Sequence, residues 1–492
     1  MRKIKANIND IKGPHNRYYA NCVGAGRAGE VMRYVPMKQL AQLQKECPFH
    51  YIRFHGLFHE EMNLVDRDEN GKLTFCFQYW DLLFDALLEH QIRPVVELGL
   101  MPRTMAKDEA YVFWWQMNKS MPKDINEWSE LVEAVVRHVT YRYGEEEVKK
   151  WYFEVWNEPN HPGFFTESKN PAAYYMLYDY AAHAVKKVNP AYKVGGPATA
   201  GVLWIQETID HCRQNNVPID FISCHEYGVK GDFDPDGQAV TVLRDINHIA
   251  RNVSRVGKLC HEQGLEFLIT EWSASYSSRD AVHDSYFSAP YLLHTIKHID
   301  GNADMLSYWV FTDIFEEVTP PMTPFHGGFG LFNVQSIPKP AYYVYTFLHR
   351  LGDTEINCSD EEAFVCKSED SVQVLLWNII QPDLTGTNNR DYFGRILPAE
   401  ELSDVPVELT GFEPDREYEI TCEMIGYKTG DVYTAYLEGN FTETPTREEV
   451  EELKEKAKPV KYCLEVVADA EGRLIFTVPQ TENCVDLVTV KL

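Results

Sequence analysis

The stretch "CVGAGRAGEV", Cys22 to Val31, holds a G-x-G-x-x-G at Gly24, Gly26 and Gly29, and its reading decides the fold. A dinucleotide-binding loop needs a buried strand before it, a helix opening at the glycines and an acidic residue about 20 positions on. The segment "YYANCVG" (18–24) serves as the strand, and Glu46 has the spacing. Pro36 falls where the long helix of such a loop must run uninterrupted, and proline lacks the N–H that the helical ladder needs. The glycines are therefore expected to let the backbone turn sharply at the top of a strand in another kind of sheet.

Working outward, short apolar segments alternate with longer amphipathic ones from residue 18 to 350. After 18–24 the strand candidates are "YIRF" (51–54), "RPVVELG" (93–99), "WYFEVWN" (151–157) and "KVGGP" (193–197), then "DFISCHEY" (220–227), "EFLITEW" (266–272) and "MLSYWVF" (305–311). Between them, residues 124–143 repeat apolar positions at helical spacing, with Asp124 to cap and Gly144 to stop the helix. A second helix runs from Pro171 to 188. This alternation suits an α/β fold of the (β/α)8 TIM-barrel type better than an open doubly wound sheet. Beyond 352 the texture changes to short strands bounded by Gly, Pro and Asp, such as "VQVLLWNII" and "EYEITCEMIG", the pattern of a β-sandwich. The expected organisation is a barrel over 17–351, a sandwich over 352–492, and an N-terminal segment 1–16 joining the sandwich. Residues 443–457 read as a charged helix with a solvated face.

Composition narrows the function. A net charge of −27 disfavours nucleic acid and anionic membranes, both of which call for clustered Lys and Arg, and favours a neutral substrate. No apolar run reaches the length of a membrane span, and the first residues lack the apolar core of a secretory signal. Eleven cysteines without paired spacings read as free thiols of a reducing compartment, so a cytoplasmic location is expected. The aromatic fraction of 13% suits either a sugar-stacking site or ordinary packing.

Two strand ends carry candidate chemistry: "FEVWNEPN" places Glu158 between Asn157 and Pro159, and "FLITEWS" places Glu271 at the end of an apolar run. Barrel active sites gather at the C-terminal strand ends, so the two carboxylates share one rim. Glycosidic cleavage needs such a pair: one carboxyl protonates the leaving oxygen while the other meets the developing oxocarbenium ion. Repulsion between close carboxylates raises one pKa, which keeps the acid protonated. Taken singly, a strand-end glutamate is more often a barrel-rim ion pair than a catalytic group, and Glu97, a third strand-end acid, reads as structural. His55 and His59 stand four apart, but at a strand end they point in different directions, and no metal site is expected. "HEYGV" lacks the second histidine of a zinc motif.

The stretches "CVGAGRAGE", "YIRFHGLFHEEM", "WYFEVWNEPN", "FISCHEY", "FLITEWSASYS" and "FHGGFGLFNVQSIPKPAYY" occur together and in order. On them the chain resembles glycoside hydrolase family 39, specifically its bacterial β-xylosidases. The resemblance covers the whole barrel and, more loosely, the sandwich. It implies a retaining exo-β-1,4-xylosidase that releases xylose from xylo-oligosaccharides with no metal or organic cofactor. Alternatives are another retaining exo-glycosidase, such as an α-L-arabinofuranosidase or a β-glucosidase, or a non-catalytic carbohydrate-binding protein. By resemblance Glu158 is the acid/base, Glu271 the nucleophile, and Asn157 the contact to the sugar 2-hydroxyl. His225 and Tyr227 match a His-x-Tyr of the sixth strand, and Tyr227 is expected to donate to Glu271. His55 and Gly56 match a loop that touches the glycone, Trp309 its aromatic floor, and Glu316 and Glu317 an acidic pair that accepts from its hydroxyls. Phe113 and Tyr276 are expected to line the cleft. Trp272 and Ser273 depart from the family pattern after the nucleophile. The resemblance also favours a homo-oligomer.

Overall fold

A computed structural model describes residues 2–492. Eight parallel strands form a closed barrel in which sequence neighbours are spatial neighbours. They are β1 (Cys22–Arg27), β2 (Tyr51–His55), β3 (Arg93–Leu98), β4 (Tyr152–Val155), β5 (Lys193–Ala200), β6 (Phe221–Tyr227), β7 (Glu266–Ser273) and β8 (Met305–Tyr308). Pairing of Ser307 with Cys22 and of Tyr308 with Val23 joins β8 to β1 and closes the barrel. The eight segments expected from the sequence are these strands, and the difference lies at their ends. Tyr18–Ala20 forms a 3-10 turn rather than the start of β1, because the Asn16 side chain accepts from the Tyr18 N–H and Arg17 O accepts from the Ala20 N–H.

The helices fall where periodicity places them. The helix Ile125–Tyr143 is capped by Asp124, whose carboxylate accepts from the Asn126 N–H at 2.8 Å, and ends at Gly144 with φ +83°. It buries Trp128, Leu131, Val135 and Val139 on one face. The second helix, Pro171–Val188, has its proline in the first turn, where the missing N–H costs nothing.

Inside the barrel the period of two builds layers. Cys22, Tyr51, Val95, Tyr152, Phe221, Leu268 and Met305 form an apolar floor. Two residues further along β2, β3 and β4, the inward positions are Arg53, Glu97 and Glu154, all fully buried. The site is therefore built on a charged layer that rests on an apolar one.

A β-sandwich follows the barrel, with one sheet of seven strands and one of three. Strand Ile4–Asn7 runs parallel to Glu401–Thr410 in the small sheet, and Ile11–Pro14 pairs with Thr354–Ile356 in the large one, so the N-terminal segment contributes to both. Alternation decides which residues meet between the sheets: Val407, Leu474 and Phe476 on one side, Val374, Ile420 and Val488 on the other. The helix Arg447–Lys456 buries only Leu453 and is otherwise a solvated face. All eleven cysteines are free. No helix among the described residues is long and apolar enough to cross a membrane.

Candidate active site

The three glycines of the opening motif prove to be space-makers rather than turn-makers. Positive φ is absent at Gly24, Gly26 and Gly29, which corrects the expectation of a sharp turn. A Cβ on Gly24 would lie 2.4 Å from Cε3 of Trp309, one on Gly26 2.0 Å from the Glu30 carboxylate, and one on Gly29 2.4 Å from that of Glu61. The side chains that need this room surround the barrel mouth. Trp309 lies immediately after β8, with its ring centroid 5.0 Å from that of His55, and the Arg53 guanidinium is 5.7 Å from its ring.

Strand β4 stops at Val155, and Trp156 and Glu158 take φ of +73° and +44°. That region costs a non-glycine residue roughly 1–2 kcal/mol, and such outliers gather at functional sites. The Glu158 N–H donates to Ala198 O at 2.8 Å, which ties the turn to β5 and sets the carboxyl over the mouth. Glu271 reaches the same place through an irregularity in β7. The register shifts between Ile269 and Trp272, so adjacent residues both face inward: Thr270 Oγ1 donates to Glu154 at 2.8 Å while Glu271 enters the site.

Around these carboxyls the expected residues converge. Tyr227 Oη donates to Glu271 Oε2 at 2.8 Å, and His225 Nδ1 lies 2.9 Å from Glu158 Oε1 and 3.5 Å from Glu271 Oε2. His55 Nε2 is 3.7 Å from Glu271 Oε1, while its Nδ1 is 2.7 Å from Glu97. Asn157 accepts from Arg53 through Oδ1 at 2.8 Å; its amide nitrogen has no partner among the described residues and is left to donate to a ligand. Phe113, at φ +64°, stacks on Trp115 and faces His55 with ring centroids 5.6 Å apart. Gly56, at φ +76°, lies against Trp115 where a side chain would not fit without strain. Tyr276 lines the cavity at its mouth, its ring edge-on to Tyr227.

The two adjacent acids separate. Glu317 lines the cavity with Glu158, Glu271 and Trp309. Glu316 does not join them: its carboxylate is held by Arg33 at 2.5 and 2.9 Å and by Arg27 at 3.0 Å. Arg27 is further bound by Glu30 and Glu61. Of the expected pair, only Glu317 is free to accept from a ligand.

The residue at the centre of the network is Arg53, which sequence reasoning passed over. Its nitrogens donate to Glu154 (2.6 Å), Glu271 (2.6 Å) and Asn157 (2.8 Å), and lie 3.0 Å from Glu97. A charged residue inside the apolar strand "YIRFH", two positions before His55, was the available signal. Burial opposes the guanidinium charge, but Glu154, Glu97 and Glu271 outweigh it and raise the pKa of Arg53. Glu97, read as structural, anchors Arg53 and His55 from below.

This arrangement separates the protonation of the two carboxyls. Burial raises the Glu158 pKa well above the usual 4.5, the nearby Glu271 charge adds to the rise, and Arg53 opposes it. Burial also raises Glu271, but there Arg53, His55 and the Tyr227 hydrogen bond all favour the ionised form. Glu158 is thus the group that keeps a proton and Glu271 the one that gives it up. Burial, together with Arg53 and His55, holds His225 neutral. Glu317 is pushed well above the carboxylate range by burial and by Glu271 and Glu158. Donor atoms of Glu158, His225 and Glu271 lie within 4.8 Å of one another, a spacing a cation could use. The Arg53 guanidinium already supplies positive charge to Glu271, which disfavours a second cation there.

The cavity above these groups measures about 450 Å³ and is lined by the barrel mouth together with Val229 and Arg244 of the insertion after β6. A larger surface cleft of about 690 Å³ lies far off, beside the helix Arg447–Lys456, lined by mixed surface charges such as Lys428, Glu438 and Glu452.

The family model for glycosyl hydrolases family 39 matches residues 2–474. The chain belongs to glycosyl hydrolase family 39. As a member of that family it is a glycoside hydrolase, and its substrate is a carbohydrate. Over 493 residues it is 36% identical to a β-xylosidase of Caldicellulosiruptor saccharolyticus, covering 100% of this chain and 99% of that protein. A β-xylosidase of Geobacillus stearothermophilus is 32% identical over 489 residues, covering 96% of this chain and 92% of the relative. Among solved structures, a monomeric β-xylosidase from Caulobacter crescentus CB15 superposes with a TM-score of 0.94 at 35% identity, covering 100% of this chain and 99% of that one. In this family 39 hydrolase the mouth of the barrel is where Glu158, Glu271, Trp309 and the cavity coincide.

Proposed function

We propose that this glycosidase is a retaining β-xylosidase that removes xylose from the non-reducing end of short β-1,4-linked xylo-oligosaccharides. The observation that carries the retaining mechanism is the closeness of the carboxyls. One oxygen of Glu158 and one of Glu271 lie within 4.8 Å, which favours the close pairing of about 5–5.5 Å used for direct attack over the roughly 6.5–9.5 Å that an inverting enzyme keeps for an interposed water. A cavity whose buried end holds Trp309 and Glu271 and whose rim carries exposed Tyr276, Arg244 and His161 favours action at a chain end. The β-xylosidase relatives favour xylose as the glycone.

In the first step Glu158 gives its proton to the glycosidic oxygen while a Glu271 oxygen attacks the anomeric carbon. The aglycone leaves with that proton, and a xylosyl ester of Glu271 remains. Arg53 holds Glu271 and Asn157 in place, so the free Asn157 N–H is aimed at the sugar rather than turning freely. Esterification removes the Glu271 charge, which lowers the pKa of Glu158. Glu158, now ionised, takes a proton from water as its oxygen attacks the anomeric carbon, and Glu271 departs as the carboxylate.

The test is a pair of variants assayed on a panel of nitrophenyl glycosides. Glu158→Ala is expected to keep the first step on substrates with good leaving groups and to regain turnover with azide, forming a β-xylosyl azide. Glu271→Ala is expected to fall below a few per cent of wild-type activity on every substrate, since removing a nucleophile costs on the order of 10⁴–10⁶-fold. A wild-type preference for α-L-arabinofuranoside or β-glucoside would replace xylose as the glycone, and appreciable activity in Glu271→Ala would remove it from the nucleophile's role.

A further inference from the structure

The outer wall of the cavity carries a cation with no anionic partner. Arg244 follows the hairpin formed by Val229–Phe233 and Ala239–Leu243, which is inserted after β6, and it lines the catalytic cavity beside Tyr276. Its Nε donates to Val229 O at 2.9 Å, which leaves the edge formed by its two terminal nitrogens. No other hydrogen bond and no carboxylate within ion-pair distance engages that edge among the described residues, in a chain with 74 acidic residues against 47 basic ones. The burial gradient places it: Glu271 and Trp309 are 5% and 2% exposed, whereas Tyr276 is 47% exposed. In an exo-acting pocket the glycone occupies the buried end, so Arg244 faces the leaving unit.

The position is also braced, and the brace comes from the sandwich. Gln381 Oε1 accepts from the Ile246 N–H at 2.8 Å, and its Nε2 donates to Arg244 O at 3.3 Å. Fully buried Asn389 accepts from the Leu243 N–H at 2.8 Å and donates to Asp280 at 2.9 Å, the carboxylate that also accepts from Thr241 Oγ1 at 2.6 Å. Arg390 adds an ion pair to Asp234 at 3.1 Å. One segment of the accessory domain thus clamps both ends of the hairpin and holds Arg244 at the mouth.

We propose that Arg244 makes the mouth of the cavity a subsite for an anionic leaving unit, a xylose residue bearing a uronic-acid carboxylate. A planar guanidinium with a free edge matches a carboxylate bidentately, and among the described residues Arg244 is the one basic side chain beside Tyr276 that could offset the acids lining the cavity. This inference rests on the xylosidase reading given above.

The test compares kcat/KM for neutral xylobiose and for xylobiose carrying a glucuronic acid on its reducing-end unit. The wild-type protein is expected to prefer the acidic substrate about fivefold, the scale of a solvent-accessible ion pair, and the ratio to fall as salt is raised. In Arg244→Gln the ratio falls to about one and loses its salt dependence; in Arg244→Lys, which keeps the charge without the fork, part of the preference remains. Equal turnover of both substrates by the wild-type protein, or a preference that survives in Arg244→Gln, overturns the proposal while leaving the xylosidase reading intact. Hydrolysis of neither substrate overturns the xylosidase reading and this inference with it.

Discussion

Replacing Gly24 by alanine puts a methyl carbon 2.4 Å from Cε3 and 3.0 Å from Cζ3 of Trp309, and 3.1 Å from the Tyr308 carbonyl oxygen. Comfortable carbon contacts begin near ~3.5 Å, so either the indole or β1 must move by about 1 Å. Trp309 has nowhere to go: it is 2% exposed, with Phe315 edge-on at 5.9 Å between ring centroids and His55 at 5.0 Å. Overpacking of this kind costs about 1–3 kcal/mol of stability. The larger effect is on rate, because about 1 Å of misplacement under the reacting sugar costs on the order of a hundredfold. The assay is kcat/KM on a nitrophenyl β-xyloside, paired with a urea denaturation curve. Gly29→Ala is the internal comparison: its methyl would meet the carboxyl end of Glu61, a flexible side chain 31% exposed that can shift at the cost of its ion pair to Arg27, so a loss of no more than about threefold is expected. Equal losses in the two variants, or wild-type kcat/KM in Gly24→Ala, would refute the reasoning that this motif serves the sugar platform.

Two further outcomes follow from the charge network. Activity needs Glu158 protonated and its pKa is raised, so kcat/KM persists above the ordinary carboxylate range and is lost as pH rises through the Glu158 pKa; the acid limb, where Glu271 gains a proton, lies at lower pH. Glu271→Gln removes the repulsion and is expected to lower the Glu158 pKa, read by carbon NMR of its carboxyl; an unchanged or higher value would contradict the assignment of acid and nucleophile. Arg53→Met leaves Glu97, Glu154 and Glu271 buried without their cation, and is expected to cost about 3–5 kcal/mol in urea denaturation and to move the acid limb upward; a loss below about 1 kcal/mol would mean that the network is not organised by Arg53.

The barrel was legible because each strand is a short apolar run closed by a polar or glycine-containing segment, and Glu158 and Glu271 were legible because they stand at such ends. What stayed hidden has a common physical cause: it depends on side-chain contacts made only in the folded chain, most of them with partners far away in sequence. A glycine needed for conformational freedom and one needed for the missing Cβ look alike, and only Trp309, Glu30 and Glu61 reveal which Gly24, Gly26 and Gly29 are. Arg53 looks like a defect in an apolar strand until carboxylates from β3, β4 and β7 close on it. Glu316 and Glu317 are indistinguishable as neighbours, and Arg27 with Arg33, both near the N-terminus, decide between them. Arg244 carries no motif at all, and its place at the mouth comes from a hairpin clamped by residues more than a hundred positions later.

The central claim is that Glu271 attacks the sugar directly while Glu158 protonates the departing oxygen. Proton NMR of xylobiose hydrolysis tests it most directly, by following the anomeric signal of the first xylose released from the non-reducing end. The account predicts β-xylose ahead of mutarotation. Initial α-xylose would mean a single displacement by water, and would contradict the role given to Glu271.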